Sequence, residues 1–597
     1  MHKYILRFLA IYVVFVLAGV LQKPVFLFLH GGEGLSATDF FEVIFHGLPM
    51  DCSVAGYLTV IPGLLMIARI WKSFTWIDTV EQVYNAIAAV LISMTAIANL
   101  GLYGYWGFPL DMTPVFYFTS SPSAAAASAG TGEIIAGVIG FLVFADLIFM
   151  SLYLIGKHIR PDVSDRRVIA TCAGLILTGL LFIPIRGGFT VSTMNPGRAY
   201  YSSRAELNHA AVNPAFSLLY SAMHQADFGR QFRYLSPEEA DRLFATMTDK
   251  ESARRDTLFE GRPDIYLIIA ESFSSHLLPS QGGEAIAVKL DSLARNGVLF
   301  DNFYASSFRT DRALPAILGA VPGQPTTSLM KYINKTEGLP SLPAALREAG
   351  YELCYYYGGD INFTNMKSYL VNCGFEKMVS DTDFPMSERT GKWGAHDHLV
   401  FNRALADARS NASTAPQLRV IQTSSSHEPF EVPYQSGLTP AAANAFAYTD
   451  SCIGAFADSI ALLPRKSLIV IVPDHYGCYP APLSDPEARH HIPLIFSGNA
   501  LRSTGRRIST YGAQPDIAAT LLGQLGIESK DFLFSRDLLA DINEPYAFYS
   551  SPNDFAISDS TGTTVVDIAT GAVKGNEAQA TKAKAYLQNL YNYLDSI

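Results

Sequence analysis

Apolar residues follow two regimes along the chain. Before residue 190 they form five long runs, at 8–21 with an extension toward 29, 54–70, 83–105, 134–155 and 168–185. Beyond residue 263 they shorten to strand-length runs at 265–270, 351–357, 418–423, 468–472 and 492–497. Helix-like segments at 285–295, 313–318, 342–349 and 442–463 separate these short runs. The long runs approach the ~20 residues that cross a bilayer as a helix, and buried soluble helices rarely come five in succession at this length. Gln22, Lys23 and Pro24 interrupt the first run, so a signal peptide is its rival reading. No small-residue cleavage site follows it, and an anchor is expected. Strands alternating with helices predict a mainly parallel sheet covered on both faces.

Loop charge orients the spans. Lys and Arg occur at the N-terminus (Lys3, Arg7), at Arg69 and Lys72, and at Lys157, Arg160, Arg166 and Arg167. The intervening loops, 30–53 and 106–132, hold no Lys or Arg and carry Glu33, Asp39, Glu42, Asp51 and Asp111. The positive-inside rule then places the N-terminus in the cytoplasm and, after five crossings, everything beyond Arg186 outside. The expected organisation is a five-helix transmembrane domain at 1–188, a linker at 189–262 and an extracytoplasmic α/β domain at 263–597. In the linker, Ser236-Pro237-Glu238-Glu239 supplies an N-cap, a first-turn proline and a capping-box glutamate, with Leu243, Phe244 and Met247 as the apolar face of one helix. An Ala/Ser-rich stretch at 121–132 reads as a loop between spans.

A formal charge of −10, with no basic stretch interleaved with aromatics, gives no support to nucleic-acid binding. Six cysteines in 597 residues exclude a disulfide scaffold. Cys354 and Cys373 are the pair that an oxidising compartment could bridge, with free buried thiols as the alternative.

Two strand candidates end in metal-binding groups. The run IYLIIAES leads to Glu271, and SLIVIVPDH leads to Asp474 and His475. Open α/β sheets collect ligands at the carboxyl ends of their strands. Between them lies Thr310, in SSFRTDRALPAILGA, at an expected helix start whose amides would face phosphoryl oxygens. A carboxylate pair, an imidazole and a hydroxyl are the parts of metal-assisted phosphoryl transfer, because coordination turns a hydroxyl into a nucleophile. Taken singly, each has a plain structural reading as a polar strand end, a surface imidazole or an N-cap threonine. Carboxylates and one imidazole suit Mn²⁺, Mg²⁺ or Zn²⁺, and the oxygen-rich set tilts the choice toward the harder ions. His427 is a candidate for binding phosphate or protonating a leaving oxygen.

The membrane part, the linker and the order Glu271, Thr310, Asp474-His475 together resemble the lipoteichoic acid synthase family, phosphoglycerol transferases within the alkaline phosphatase and sulfatase superfamily. YYGGDINFTNM at 356–366, GKWGAHDHLVF at 391–401, SSSHEPF at 424–430 and the tail at 548–575 carry the resemblance further. It implies an α/β sandwich in which Glu271, Thr310, Asp474 and His475 bind one divalent cation and Thr310 is the nucleophile. It also implies Asp360, Asn365, Trp393 and Asp397 as substrate-pocket positions, with Arg309, Arg312 and His491 as weaker candidates. The implied reaction moves a glycerophosphate headgroup from a membrane phospholipid to a glycan or lipid acceptor, at the outer face of a bacterial cytoplasmic (inner) membrane. Tyr357 stands where relatives often have histidine, which leaves the headgroup open. Phosphoethanolamine transfer, or hydrolysis with water as acceptor, is the alternative. A formylglycine sulfatase would need C/S-x-P-x-R, which TDRAL at 310–314 lacks.

Overall fold

Leu, Ile, Val and Phe fill the N-terminal third too continuously to leave a polar stripe, and the helices that result suit a lipid surround. A computed structural model describes residues 2–71, 75–112, 114–115, 131–160, 166–224, 227–248, 256–477, 479–480 and 483–597. Lys72 and most of the Ala/Ser-rich stretch lie outside the described residues. Five helices are long and apolar enough to cross a membrane: His2–His30, Ala37–Trp71, Trp76–Tyr105, Gly132–His158 and Arg167–Arg186. The first runs unbroken through Pro24, so the polar interruption does not end it. Lys23 instead turns inward, where its Nζ donates to the Ala211 carbonyl at 2.7 Å and lies 3.3 Å from Asp51 Oδ1.

By contacts the chain divides into two compact units, Met1–Gln225 with Asn362–Ser368, and Ala226–Ile361 with Tyr369–Ile597. The division falls inside the segment expected as a linker. Among its described residues that segment holds three α-helices where the sequence suggested one: Ala205–Ala211, Pro214–Met223 and Pro237–Met247. The first two are short and lack an apolar stripe that periodicity could detect. The third begins as expected, with the Ser236 hydroxyl accepting from the Glu239 amide, and Phe244 and Met247 are buried. In the first unit, Arg7 pairs with Glu81 at 2.5 Å, Arg69 with Glu81 at 3.0 Å, and Arg7 also donates to the Ile159 carbonyl. The basic loops thus gather at one end of the bundle.

In the second unit the sheet strands are β1 (Asp264–Ala270), β2 (Val298–Phe300), β4 (Glu352–Tyr357), β5 (Met378–Val379), β6 (Gln417–Gln422), β7 (Ser467–Pro473), β8 (Leu494–Ser497) and β9 (Arg506–Ile508). A short pair, β3 (Phe303–Tyr304) with β10 (Gly512–Ala513), lies apart. The eight-stranded order is β5-β4-β6-β1-β7-β8-β2-β9, and β8 alone runs antiparallel to its neighbours. Every residue of β1, β6 and β7 is buried, which is why these strands read as continuous apolar runs. Tyr266, Ile268, Ile469 and Ile471 pack against Phe446, Ile453 and Phe456 of the helix Ala441–Ala461.

A second sheet, antiparallel, is formed by β11 (Ala547–Ser550), β12 (Asp554–Asp559), β13 (Gly562–Asp567) and β14 (Val573–Lys574). It packs with the C-terminal helix Glu577–Ser596, against which Phe244 and Met247 also lie.

The five described cysteines are free thiols, so no Cys354–Cys373 bridge forms. Successive residues of a strand point to opposite faces. Cys354 shares its face with Tyr356 and Arg419, whereas Cys373 lies by Tyr369 and Tyr355 on the other.

Candidate active site and metal centre

Strand register brings the two acids together. β1 and β7 are parallel neighbours with Ala270 opposite Pro473, so the next residues, Glu271 and Asp474, leave the sheet side by side at its carboxyl edge. Both are buried, and with His475 they bring one ligand atom each within 4.8 Å of one another. His475 Nε2 lies 3.4 Å from Asp474 Oδ2 and 3.9 Å from Glu271 Oε1. Its Nδ1 sits 2.9 Å from the Tyr476 carbonyl. A carbonyl only accepts, so Nδ1 donates there and Nε2 is the nitrogen that faces the acids.

Thr310 opens the helix Thr310–Gly319. Its Oγ1 donates to Asp474 Oδ2 at 2.7 Å, with Glu271 Oε2 and His475 Nε2 each 3.4 Å away. All four residues selected from sequence therefore converge on one point. Burial first, and then the facing Asp474 carboxylate, push the Glu271 carboxyl well above the ordinary carboxylate range. Buried acids this close oppose each other unless a positive charge lies between them. Three oxygens and one imidazole nitrogen around that point are a donor set that fits a divalent cation.

Two residues that sequence reasoning missed hold this arrangement. Ser272 adopts φ 63°, a conformation costing about 1–3 kcal/mol for a non-glycine residue. It allows the Ser272 amide to donate to Asp474 Oδ1 at 2.8 Å and its hydroxyl to Glu271 Oε1 at 2.7 Å. Gln514 is fully buried and donates to the Pro473 and Asp474 carbonyls at 2.8 and 2.7 Å while accepting from the Ser306 amide at 2.9 Å. It thereby ties the end of β7, which carries Asp474, to the segment leading to Thr310. A lone glutamine in a loop has no periodic or motif signal.

The loop after β6 carries His427 beside β1. Ser426 Oγ donates to the Glu271 carbonyl at 2.7 Å, and the Glu271 amide donates to Thr423 Oγ1 at 2.9 Å. The rings of His427 and Trp393 lie 4.5 Å apart, and Trp393 Nε1 donates to the Glu428 carbonyl at 2.8 Å. With His396, Ser424 and Ser425 they line a small open cleft, to which none of the four clustered residues contributes. His427 Nδ1 is 3.1 Å from the Glu428 carbonyl, leaving Nε2 as the available nitrogen. The Trp393 loop closes on the turn after β4 through glycines: a Cβ on Gly358 would fall 2.2 Å from the Ala395 carbonyl.

The other pocket candidates separate. Asp360 is buried just beyond β4, and its charge acts on Tyr357. Tyr357 is itself buried, and that burial, with Glu271, Asp360, Asp381 and Asp474 nearby, holds its phenol far above the usual value, so it remains a protonated donor. Asp397 is saturated from within: Oδ1 accepts from the Ser424 and Ser425 amides at 2.9 and 3.2 Å, and Oδ2 from Thr449 Oγ1 at 2.6 Å. It positions the His427 loop. Asn365 falls in the first unit, where its amide donates to the Tyr220 hydroxyl at 3.0 Å. Arg312 is spent on the Gln324 carbonyl and the Phe308 ring, and His491 Nε2 lies 2.7 Å from the Asp301 carbonyl.

Residues 263–527 match the Sulfatase family. Lipoteichoic acid synthase 2 of Bacillus subtilis (strain 168) is 24% identical over 309 residues, 46% of this chain and 46% of its own length. Lipoteichoic acid synthase 1 of the same organism is 25% identical over 336 residues, 48% of this chain and 49% of its own. The chain thus spans about half the length of the curated relatives it matches. A solved structure from Vibrio parahaemolyticus, a protein in the alkaline phosphatase superfamily, shares the fold with a TM-score of 0.54 at 22% identity, over 60% of this chain and 97% of its own. A mainly parallel sheet with a buried acid pair, an imidazole and a threonine at its carboxyl edge, within residues 263–527 that match the Sulfatase family, gives this region the fold of that superfamily and a likeness to the lipoteichoic acid synthases.

Proposed function

We propose that this protein is a membrane-anchored phosphotransferase that moves a glycerophosphate headgroup from a phospholipid to a glycan or lipid hydroxyl outside the cytoplasm, through a covalent adduct on Thr310. The observation that carries this reading is the Thr310 hydroxyl, 2.7 Å from Asp474 Oδ2 at a point shared with Glu271 and His475. Glu271, Thr310, Asp474 and His475 would hold one divalent cation, Mn²⁺ foremost, which when bound lowers the pKa of an adjacent hydroxyl and offsets charge on phosphoryl oxygens.

In the first half-reaction Asp474 takes the Thr310 proton as Oγ1 attacks phosphorus. A new P–O bond forms to Thr310 while the bond to the diacylglycerol oxygen breaks. His427, in its protonated form, gives that oxygen a proton through Nε2. In the second half the same nitrogen takes the proton of the acceptor hydroxyl, which attacks phosphorus and releases Thr310 with its proton restored. Trp393 braces His427 at the cleft, and the Tyr357 phenol offers a neutral donor beside the acids. Tethering to the bilayer raises the effective concentration of lipid headgroups without tight binding.

Acid-quenched protein incubated with phosphatidylglycerol should carry a glycerophosphoryl group on the Thr310 peptide, read by mass spectrometry. An adduct formed only from phosphatidylethanolamine, or steady release of soluble glycerophosphate with no adduct, would overturn the reading. His427→Ala should slow turnover by ~10²-fold or more, the usual worth of a positioned acid or base. Full activity in that variant would remove His427 from the mechanism.

Orientation has its own test. An alkaline phosphatase reporter fused after Ile597 should be active, and one fused after Arg160 inactive, because the basic loops mark the cytoplasmic side. The reverse pattern would place the enzyme domain among cytosolic phosphate esters and undo the argument for a lipid donor.

A further inference from the structure

Apart from the acid pair, the first unit holds two cations and several exposed apolar side chains in segments that are hydrogen-bonded to one another. Arg186 closes the last candidate span, and its guanidinium donates to the Gly188, Thr190 and Val191 carbonyls at 3.1, 2.5 and 3.3 Å. Arg198 holds the same loop from the other side, donating to the Gly187 carbonyl at 2.5 Å and to Thr190 Oγ1 at 3.2 Å. Lys367 arrives from residues 362–368, which cluster with this unit although they follow β4 in the chain. Asn195 Nδ2 donates to the Asn362 carbonyl at 2.9 Å and fastens that segment beside Arg198. Among the described residues Lys367 has no hydrogen bond or ion pair, so its charge is left uncompensated. Burial first, and then the Arg198 charge, bring the Lys367 ammonium down to about 8.

His46 lies near Lys367, and the segments that hold these cations also carry exposed apolar side chains. Phe189, in the loop that both arginines hold, is 87% exposed, and Leu219 and Met223 of the helix Pro214–Met223 are 63% and 74% exposed. That helix has no charged residue, buries Pro214 alone, and is joined to 362–368 through Tyr220 and Asn365. A short helix with open apolar side chains, next to a membrane-spanning bundle and a pair of cations, has the chemistry of a bilayer interface.

We infer that Arg198 and Lys367 bind the phosphate group of a membrane phospholipid whose acyl chains lie against Phe189, Leu219 and Met223. The site goes beyond the reaction proposed at Thr310 and stands without it. A phosphate between the two cations satisfies Lys367 and relieves its repulsion from Arg198, while the exposed apolar residues explain why the phosphate is carried by a lipid.

The test uses full-length Thr310→Ala protein in neutral detergent, so that no headgroup is turned over, with lysines labelled by reductive methylation. Phosphatidylglycerol at about ten times its dissociation constant should slow labelling of Lys367 about tenfold, by mass action. Lys530, at the surface of the other unit with a side chain 68% exposed, serves as the unprotected reference. Dioleoylglycerol, which has no phosphate, should not protect. Arg198→Gln should weaken the protection by about tenfold, the worth of a charge-assisted hydrogen bond. Equal protection by inorganic phosphate would keep the phosphate chemistry and overturn the lipid as its source. Protection by dioleoylglycerol, or none by any probe, would overturn the site.

Discussion

Thr310→Ala is expected to abolish headgroup transfer, by ~10⁴-fold or more, while the protein folds and keeps most of its metal content at saturating Mn²⁺. The Thr310 hydroxyl makes one 2.7 Å hydrogen bond to Asp474 and is only partly buried, so its loss costs about 1 kcal/mol of stability. A 10⁴-fold loss of rate is about 5.5 kcal/mol of transition-state stabilisation, far more than that structural term. The two effects are therefore separable in one protein, by turnover on phosphatidylglycerol and by thermal melting. Retention of more than about a tenth of wild-type turnover would rule out Thr310 as the covalent nucleophile, given the losses such roles produce.

The second large effect is on the metal. Glu271→Gln and Asp474→Asn each remove a buried ligand charge and should raise the dissociation constant for Mn²⁺ by at least ~100-fold, since outer partners of ligands alone are worth about 10–100-fold. Activity should fall with occupancy and, in the wild type, be lost to a chelator and restored by the ion. Stability should respond with opposite signs. The Glu271 carboxyl is raised by burial and by Asp474, so in chelated protein it favours folding only while protonated. That contribution is present below its unfolded pKa of about 4.3 and is lost as pH rises through the raised folded value. At neutral pH, chelated Glu271→Gln protein should therefore melt no lower than chelated wild type, and adding Mn²⁺ should reverse the order. A lower melting temperature for the variant in both conditions, with unchanged metal content by elemental analysis, would mean that Glu271 is a structural acid and not a ligand.

Much of the site was legible because local chemistry and local periodicity agreed. Continuous apolar runs of strand length ending in Glu271 or in Asp474-His475 fit strands buried on both faces, and the polar residue just beyond such a strand lies at the sheet edge. Thr310 opens a helix, and the capping residues at 236–239 start one, by rules that involve a few neighbouring residues. The five apolar runs announced their helices by length alone, even where Pro24 argued for a break.

Elsewhere, local rules gave no purchase. The antiparallel sheet β11–β14 rests on short alternating strands set among Ser, Thr, Gly and Asp, a pattern that irregular loops share. Asn365 and Asp360 sit five positions apart in one motif, yet Asn365 clusters with the first unit and Asp360 lies beside Tyr357 in the second. Asp397 has the residue type of a pocket acid, but the fold brings two amides and a hydroxyl to it, so it positions a loop. Cys354 and Cys373 are close in sequence, and strand alternation puts them on opposite sheet faces.

By itself the sequence determined the five long apolar helices, the αβ alternation, and which residues could supply metal ligands and a nucleophile, because each depends on composition and periodicity over a short window. Tertiary structure alone decided that Glu271 and Asp474 are neighbours, through the pairing of Ala270 with Pro473 between β1 and β7. Strands buried on both faces carry no alternation that would distinguish one partner or register from another. Their order depends on the helices packed across them, and with it the meeting of Thr310, His475 and the two acids at one point.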